Sequence, residues 1–309
     1  MMEQDMAIRL IDIDERQRDE MLRRRRRARE RARQEAKRKR KKMRRLRMLR
    51  RLLIRVCILF FVVVAGRAAV RMLVSAVRET SGDNPVIATM SKEDLKETDE
   101  WKKINENRSL YPDSMIEVLE NNPELLDFVA GYPKAEPVVT GGLTKKETKE
   151  DYPLFLQWDA RWGYVSYGDD NIGLSGCAPA CLSMVIFSLT RNEAATPDAI
   201  AAFSMDNGYY VPGTGTAWTL MTDAAAHYGV SVEELSLDEG MMKSRLDSGR
   251  MIICSMGPGA FTTTGHFIVL YGYNEEGFLV NDPFSRKRSS KAWDFKTIQY
   301  QIRNMWVYG

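Results

Sequence analysis

The stretch GCAPACLSM, at residues 176–184, holds two of the four cysteines of this 309-residue chain. It is typical of a buried helix, because proline is tolerated in the first turn and apolar side chains follow on nearly every face. Cys177 would open that helix directly after Gly176, where the helix dipole and the unpaired N–H groups favour a thiolate. The pattern therefore indicates either a nucleophile or a thiol that serves only packing.

Other uses of these cysteines are disfavoured. Cys177 and Cys181 would lie one helical turn apart, where their β-carbons diverge too far for good disulfide geometry. A C-x-x-x-C pair in a chain with only two histidines is also a poor zinc site. The glycine-rich loop at 213–215 lacks the lysine of a phosphate-binding loop. We therefore expect no metal and no cofactor.

A cysteine nucleophile needs a base, and the choice lies between His227 and His266. His227 falls in the last turn of a predicted helix, an ordinary place for a solvent-facing histidine. His266 begins the predicted strand GHFIVLYGY, beside a glycine that leaves room for a close approach. A strand histidine is often structural, but the position of a carboxylate on the next strand favours His266 as the base.

That carboxylate is Asp282, and its place depends on how the loop NEEG closes. A three-residue loop with a glycine bulge pairs Tyr273 with Gly277. In this register Ile268 lies opposite Asp282, and Asp282 lies diagonally across from His266, with about 7–8 Å between α-carbons. A two-residue turn would put the carboxylate and the imidazole on opposite faces, so the predicted contact depends on the bulge.

Helix patterns precede strand patterns around these residues. Helices are predicted in CAPACLSMVIFSLT, TPDAIAAFSMDNG, AWTLMTDAAAHYGV and SLDEGMMKSRLDSG, and strands in GRMIICSMG, GHFIVLYGY and GFLVNDP. Helices followed by an antiparallel sheet make an α+β domain, over residues 151–309.

The motifs GCAPACLSMV, GHFIVLYGY and VNDP, in this order and spacing, resemble the papain-like cysteine peptidases of the double-glycine, bacteriocin-processing type. The likeness is to cysteine-peptidase family thirty-nine, and especially to its broad bacterial peptidase-like branch. The segments PLFLQWDARWGYVSYG and VPGTGTAWTLMTDAAAHYGV also resemble that branch, so the likeness covers about residues 150–309. It implies a papain-like α+β fold with N-terminal helices, a nucleophile on a central helix and an antiparallel sheet.

The resemblance also implies roles for single residues. Cys177 is the expected nucleophile, His266 the general base and acid, and Asp282 the group that orients the imidazole. Gln157, or failing that Asn171, is the expected side-chain oxyanion donor. The implied activity is hydrolysis or acyl transfer at an amide bond through a cysteine thioester. The alternative is a catalytically inactive papain-like binding module on the cell surface.

Charge is divided unevenly along the chain. Residues 1–55 hold 23 of the 46 basic residues and 9 of the 42 acidic ones. An apolar run at 56–66 follows, which reaches 22 residues when it is extended to Val77, and about 20 residues cross the hydrocarbon core of a membrane. Positive charge before such a run predicts a signal anchor with a cytoplasmic N-terminus. A secretory signal cut near Ala76 is the alternative.

The basic stretch at 23–51 lacks aromatic side chains for base stacking and runs directly into the apolar segment. Contact with anionic lipid headgroups is therefore favoured over nucleic-acid binding. We expect no nucleic-acid partner. The expected substrate is a peptide or protein, including cell-wall peptide.

Four regions follow from these patterns. They are a basic cytoplasmic tail (1–51), a transmembrane signal anchor (52–77), an extracellular spacer with a short helical pair at 109–131 (78–150), and the peptidase domain (151–309). The helical pair is broken at Asn122 and Pro123, and its apolar residues suit either docking on the next domain or an independent module. The chain is thus expected to be a single-pass cell-membrane protein of a bacterium with its C-terminal domain outside.

Overall fold

The computed structural model of the chain describes residues 90–309. The predicted basic tail, 1–51, and the predicted anchor, 52–77, lie outside the described residues. Within residues 90–309 the chain forms no helix that is both long and apolar enough to cross a membrane. The described part begins with a group of short helices and continues into an α+β domain.

Four short helices come first, and residues 92–134 are called the helical module below. They are α1 (Lys92–Glu97), α2 (Asp99–Glu106), α3 (Asp113–Asn121) and α4 (Leu126–Gly131). The expected helical pair is present as α3 and α4, with its break at Asn122 and Pro123. The pair docks on the following domain, because Phe128 stacks on Tyr164 with ring centroids 4.5 Å apart.

The structure differs from the predicted polar spacer in the segment that forms α1 and α2. Ser91 and Thr98 accept hydrogen bonds from first-turn N–H groups and divide this segment into two helices. Only Leu95, Trp101 and Ile104 are buried there. Three apolar side chains shared between two short helices give no periodic signal, which is why the sequence pattern missed both.

Five helices of the second domain lie between residues 172 and 247. They are α5 (Ile172–Ser175), α6 (Cys177–Thr190), α7 (Pro197–Asp206), α8 (Leu220–His227) and α9 (Glu239–Asp247). The last four are the helices predicted from the sequence. Helix α6 is apolar on nearly every face because it packs against the neighbouring helices and the sheet at once, which buries its residues from Ala178 to Phe187.

Ten strands and two further short helices complete the domain. The strands are β1 (Ser166–Tyr167), β2 (Asp170–Asn171), β3 (Tyr210–Val211), β4 (Gly215–Thr216), β5 (Val232–Glu234), β6 (Met251–Met256), β7 (His266–Asn274), β8 (Gly277–Asn281), β9 (Ala292–Trp293) and β10 (Ile302–Tyr308). The short helices are α10 (Arg286–Ser289) and α11 (Phe295–Ile298). The main sheet is antiparallel, with strand order β5-β10-β6-β7-β8-β9.

Both faces of the main sheet are covered. On one face Phe267 and Val269 of β7 pack in the same cluster as α6. On the other face Ile268 and Leu270 pack in a cluster that contains Met242 of α9. A strand buried on both faces reads as a continuous apolar run, and each such side chain contributes about 1.5–3 kcal/mol on burial. The α+β prediction agrees with this arrangement.

The turn between β7 and β8 differs from the predicted one. Asn274 pairs with Gly277, so the loop is two residues long and Tyr273 pairs with Phe278. The predicted pairing of Tyr273 with Gly277 is therefore wrong. The physical reason is that Asn274 Oδ1 accepts hydrogen bonds from the N–H groups of Glu276 and Gly277, which closes the loop tightly.

The bulge that places Asp282 on the same face of the sheet as His266 lies inside β7, at Tyr271, and not in the loop. This extra residue shifts the register by one, so that Val269 pairs with Asn281. Beyond the bulge the register is the predicted one, and it brings Asp282 diagonally across from His266. The register at the far end of the hairpin was therefore right for a wrong reason, because the bulge was placed in the loop.

Candidate active site

Cys177 is the first residue of α6, and Gly176 alone separates α6 from α5. A side chain at position 176 would place its Cβ 2.5 Å from the carbonyl oxygen of Ile172, so only glycine fits there. The Cys177 thiol is half-buried. It lies at the end of a 14-residue helix whose first N–H groups have no partner within the helix.

His266 lies at the start of β7, paired with Met256 of β6, and is 8% exposed. Its Nε2 and Asp282 Oδ1 are 2.7 Å apart. Cys177 lies close enough to the imidazole to contribute to the rise of its pKa, while Nε2 faces the carboxylate. His266 thus interacts with the carboxylate of Asp282 and with Cys177 at the start of α6.

Asp282 is fully buried, and both of its carboxylate oxygens are used. Oδ1 accepts the N–H of Phe284 at 2.8 Å in addition to its bond with His266. Oδ2 accepts the Nε–H of Arg288 at 2.5 Å. A buried carboxylate needs such partners, since an unpaired one costs several kcal/mol.

Arg288 is a member of the site that the sequence reasoning missed. It lies on α10, whose N-cap residue Ser285 accepts a hydrogen bond from the Arg288 N–H. The signal that could have revealed it is Ser285, three residues after Asp282, in the N-cap position of a helical turn that begins at the next residue. The guanidinium also lies over the ring of Phe284, 5.8 Å from its centroid.

The charges of this group set its protonation. Burial lowers the pKa of His266, but the charge and hydrogen bond of Asp282, together with the smaller influence of Cys177, outweigh it and raise that pKa to about 9. Burial raises the pKa of Asp282, but the charges and hydrogen bonds of His266 and Arg288 outweigh it, so that this pKa is lowered. At neutral pH the geometry therefore holds an imidazolium between a carboxylate and a cysteine.

The other two described cysteines lie in different surroundings. Cys181 and Cys254 are both fully buried and carry free thiols. Burial raises the pKa of Cys181 well above its ordinary value and also raises the pKa of Cys254. Their thiolates are thus disfavoured, whereas Cys177 lies beside an imidazolium.

Gln157, the predicted oxyanion donor, is 1% exposed and bridges the two sides of the site. Its backbone N–H donates to the Pro283 carbonyl at 2.8 Å, next to Asp282. Its side-chain Nε2 donates to the Gly173 carbonyl at 3.0 Å, on the helix that leads to Cys177. An amide nitrogen has two hydrogens, so one is committed to Gly173 and a second is left for another acceptor.

Asn171, the alternative donor, has a different task. It is the N-cap of α5, where its Oδ1 accepts the N–H of Leu174 at 3.1 Å. It therefore fixes the start of the helix that precedes Gly176 and Cys177. Gln157, by contrast, donates a hydrogen bond from its side-chain nitrogen to this segment.

His227 and Arg161 lie in structural settings. His227 is exposed and packs on Phe203, with ring centroids 4.6 Å apart. Arg161 pairs with Glu147 at 2.7 Å and Asp159 at 2.8 Å. Within residues 90–309 no three His, Cys, Asp or Glu side chains are grouped so that they could hold a metal ion.

A comparison with family models identifies the same part of the chain. A family model described as the Peptidase_C39 like family matches residues 149–308, which confirms the resemblance drawn from the motifs. No curated protein matches.

Two solved structures are similar to about half of the chain. The peptidase domain of Streptococcus ComA, a bi-functional ABC transporter involved in a quorum sensing pathway, is 18% identical, with a TM-score of 0.36; the match covers 50% of this chain and 96% of that one. A C39-like peptidase from Bacillus anthracis is 15% identical, with a TM-score of 0.34; the match covers 51% of this chain and 94% of that one.

Proposed function

The chain belongs to the C39-like cysteine peptidase family, and we propose that its domain at residues 151–309 is an active peptidase with Cys177 as the nucleophile. The 2.7 Å hydrogen bond between Asp282 and His266, with Cys177 close enough to influence the same imidazole, carries this proposal. The family implies a peptide or protein substrate. The finer activity, hydrolysis or acyl transfer at an amide bond, follows from the chemistry of a cysteine thioester.

In the proposed mechanism the imidazolium of His266 favours the thiolate of Cys177. Sγ attacks the carbonyl carbon of the substrate, and the scissile C–N bond breaks as His266 gives its proton to the leaving amine. A water molecule then loses a proton to the neutral imidazole and attacks the thioester carbon, and the C–S bond breaks. This step releases the acid and restores the thiolate beside the imidazolium. An amine in place of water gives acyl transfer.

Two groups of the chain are suited to the substrate oxyanion. The N–H groups of the first turn of α6 have no partner within the helix. The second hydrogen of Gln157 Nε2 is the side-chain donor, held by the bond from the same nitrogen to Gly173. Asp282 keeps the imidazole ring oriented and stabilises its charge throughout.

Alkylation and peptide turnover test the proposal together. At neutral pH, iodoacetamide should label Cys177 selectively, and a peptide library should reveal turnover by the full chain. Cys177→Ala should abolish both and change the free energy of unfolding by no more than about 1 kcal/mol. The control is Cys254→Ala, which should keep label and turnover. Selective labelling without turnover would favour the inactive binding module, and labelling of Cys181 instead would contradict the site.

The proposal includes a location. Residues 52–77 would anchor the chain, with the basic tail on anionic lipid in the cytoplasm and the peptidase domain outside, where cell-wall peptide is accessible. The 23 basic residues before the apolar run support this orientation. External protease on intact cells should digest residues 151–309 and spare residues 1–50. A protected C-terminal domain would contradict it, and a mature N-terminus near Val77 would indicate a cleaved signal.

A further inference from the structure

The helical module contacts the loop that follows Asp282, although the module lies outside residues 149–308, which the family model matches. We propose that this module is a positioning element of the active site, in which Glu124 holds Asp282 in place through α10. The inference rests on the proposed function, because it takes Asp282 as the group that orients His266.

Glu124 is a buried carboxylate, 6% exposed, that binds the start of α10. Its Oε1 accepts the Ser285 hydroxyl at 2.5 Å and the N–H of Lys287 at 3.2 Å. Its Oε2 accepts the N–H of Arg286 at 2.7 Å. The first N–H groups of a helix have no partner inside the helix, so Glu124 supplies the partners that α10 lacks.

Helix α10 carries the groups that hold Asp282. Arg288 donates to the carboxylate, and the Ser289 hydroxyl accepts the Asp282 N–H at 2.8 Å. A helix of four residues has too few internal hydrogen bonds to fix its own orientation. Its contacts must do so, and Glu124 provides three of them. A shift of α10 would therefore displace Arg288, and with it the carboxylate.

A second contact of the module acts on the same loop. The side-chain amide of Asn122 donates to the Phe284 carbonyl at 2.7 Å, and the Trp158 indole N–H donates to the same oxygen at 2.9 Å. The N–H of Phe284 is the group that donates to Asp282 Oδ1. Asn122 and Glu124, two residues apart in sequence, thus bind Phe284 and the start of α10. Phe284 and Arg288 of α10 both donate to the carboxylate of Asp282.

The module also contacts the helix side of the site. A Cβ at position 173 would lie 2.3 Å from the ring of Phe128, and a Cβ at position 163 would lie 2.8 Å from it. The carbonyl of Gly173 is the acceptor of the Gln157 side chain. The ring of Phe128 therefore packs directly on the segment that positions the proposed oxyanion donor.

Packing alone does not account for Glu124. An apolar side chain would fill the same space without the cost of removing a carboxylate from water. The three donors of Glu124 are neutral groups of one short segment, and that segment carries the partner of Asp282. This geometry points to placement of α10 as the role of the carboxylate.

The pKa of His266 depends on the position of Asp282, so its measurement tests the placement of α10. The chain has two histidines, so NMR titration of the full chain with 13C-labelled histidine follows His266, with exposed His227 as an internal reference. Glu124→Gln keeps the shape of the side chain, but its NH2 group replaces an oxygen that accepts hydrogen bonds from the start of α10. We expect the pKa of His266 to fall below about 9, toward its ordinary value, while the His227 titration stays unchanged. Turnover number should fall about tenfold with little change in KM.

Glu120→Gln is the matched control, because Glu120 is an exposed residue of the same module. Equal His266 titrations and turnover in the two variants would overturn the inference and leave the proposed function intact. If Glu124→Gln melts below the assay temperature, Glu124→Asp, which shortens the side chain and keeps its charge, should show the same direction of change. An unchanged titration in that variant would also overturn the inference.

A double-mutant cycle tests the route through Arg288. In an Arg288→Met background, Glu124→Gln should shift the His266 pKa no further, because the group that transmits the effect is gone. An equal further shift would overturn the route. Absence of turnover and of Cys177 labelling in the unmodified chain would contradict the proposed function instead, and the His266 titration would still decide the inference.

Discussion

On the helix side of Cys177, Gln157 is fixed by a neutral hydrogen bond to Gly173 and by the packing of Phe128 on that glycine. On the sheet side, His266 and Asp282 are fixed by opposite charges and by the guanidinium of Arg288. The helical module repeats this division, because it meets the helix side with the ring of Phe128 and the sheet side with a carboxylate.

The difference between neutral contacts on the helix side and charged contacts on the sheet side corresponds to the role of each side in the proposed mechanism. The sheet side must accept and release a proton, which requires groups whose charge can change. The helix side must keep N–H donors aimed at one point while the charge of the substrate changes, which neutral and rigidly packed groups do best. Substitutions that remove a charge should therefore impair the sheet side. Substitutions that remove or misalign an N–H donor should impair the helix side.

The largest expected effect follows from removal of the sheet-side carboxylate. Asp282→Ala leaves His266 without an acceptor and Arg288 without its partner, and turnover should fall about a thousandfold. Asp282→Asn should retain more activity, because the amide oxygen can still accept from His266 while its nitrogen faces Arg288. Steady-state kinetics of the two variants measure the difference. Equal losses would show that the charge of Asp282, rather than its acceptor geometry, controls the rate.

The helix side is tested with Gln157→Ala, which removes a donor but no charge. We expect turnover to fall about 10²–10³-fold if Gln157 stabilises the oxyanion, with no change in the His266 titration. Asn171→Ala is the control, since it uncaps α5 without removing the donor. If Asn171→Ala has the larger effect on turnover, the donor assignment is wrong; if neither variant loses rate, the backbone N–H groups of α6 hold the oxyanion alone.

Variants of Arg288 distinguish the effect of charge from the effect of geometry on the sheet side. Arg288→Met removes the charge next to Asp282 and keeps the bulk of the side chain, and turnover should fall about tenfold because the carboxylate is less firmly held. Arg288→Lys restores the charge without the planar guanidinium and should recover part of the loss. Kinetics and thermal melts measure both. Full activity in Arg288→Met would mean that Phe284 and His266 are sufficient to hold Asp282.

The sequence predicted the parts of the site that depend on local patterns. Cys177 was placed at the start of a helix because Gly176 and the apolar run after it are adjacent in the chain. His266 and Asp282 needed only the register of one hairpin, and the bulge at Tyr271 gave that register although the loop did not.

The parts that were missed depend on contacts between distant segments. Glu124 meets Arg286 across 162 positions, and nothing in its local sequence marks it as buried. In β10 the last four residues are all buried, so the strand lacks the alternation that marks a half-exposed strand. Burial of a carboxylate or of both strand faces is decided by tertiary packing, which a single sequence pattern does not contain.

The smallest expected effect is on the pH dependence of stability, which should change in a sheet-side variant but not in a helix-side variant. Because the pKa of His266 is raised from 6.5 to about 9 in the folded state, its contribution is complete below pH 6.5 and is lost as pH rises through about 9. The pKa of Asp282 is lowered from 3.8, so its contribution is present above pH 3.8 and is lost as pH falls through the folded value. Urea unfolding at a series of pH values should thus show the largest contribution of this pair between pH 3.8 and 6.5. His266→Gln should remove the decline between pH 6.5 and 9, whereas Gln157→Ala should leave it. A decline that persists in His266→Gln would place the titrating group elsewhere and contradict the assignment of charge to the sheet side.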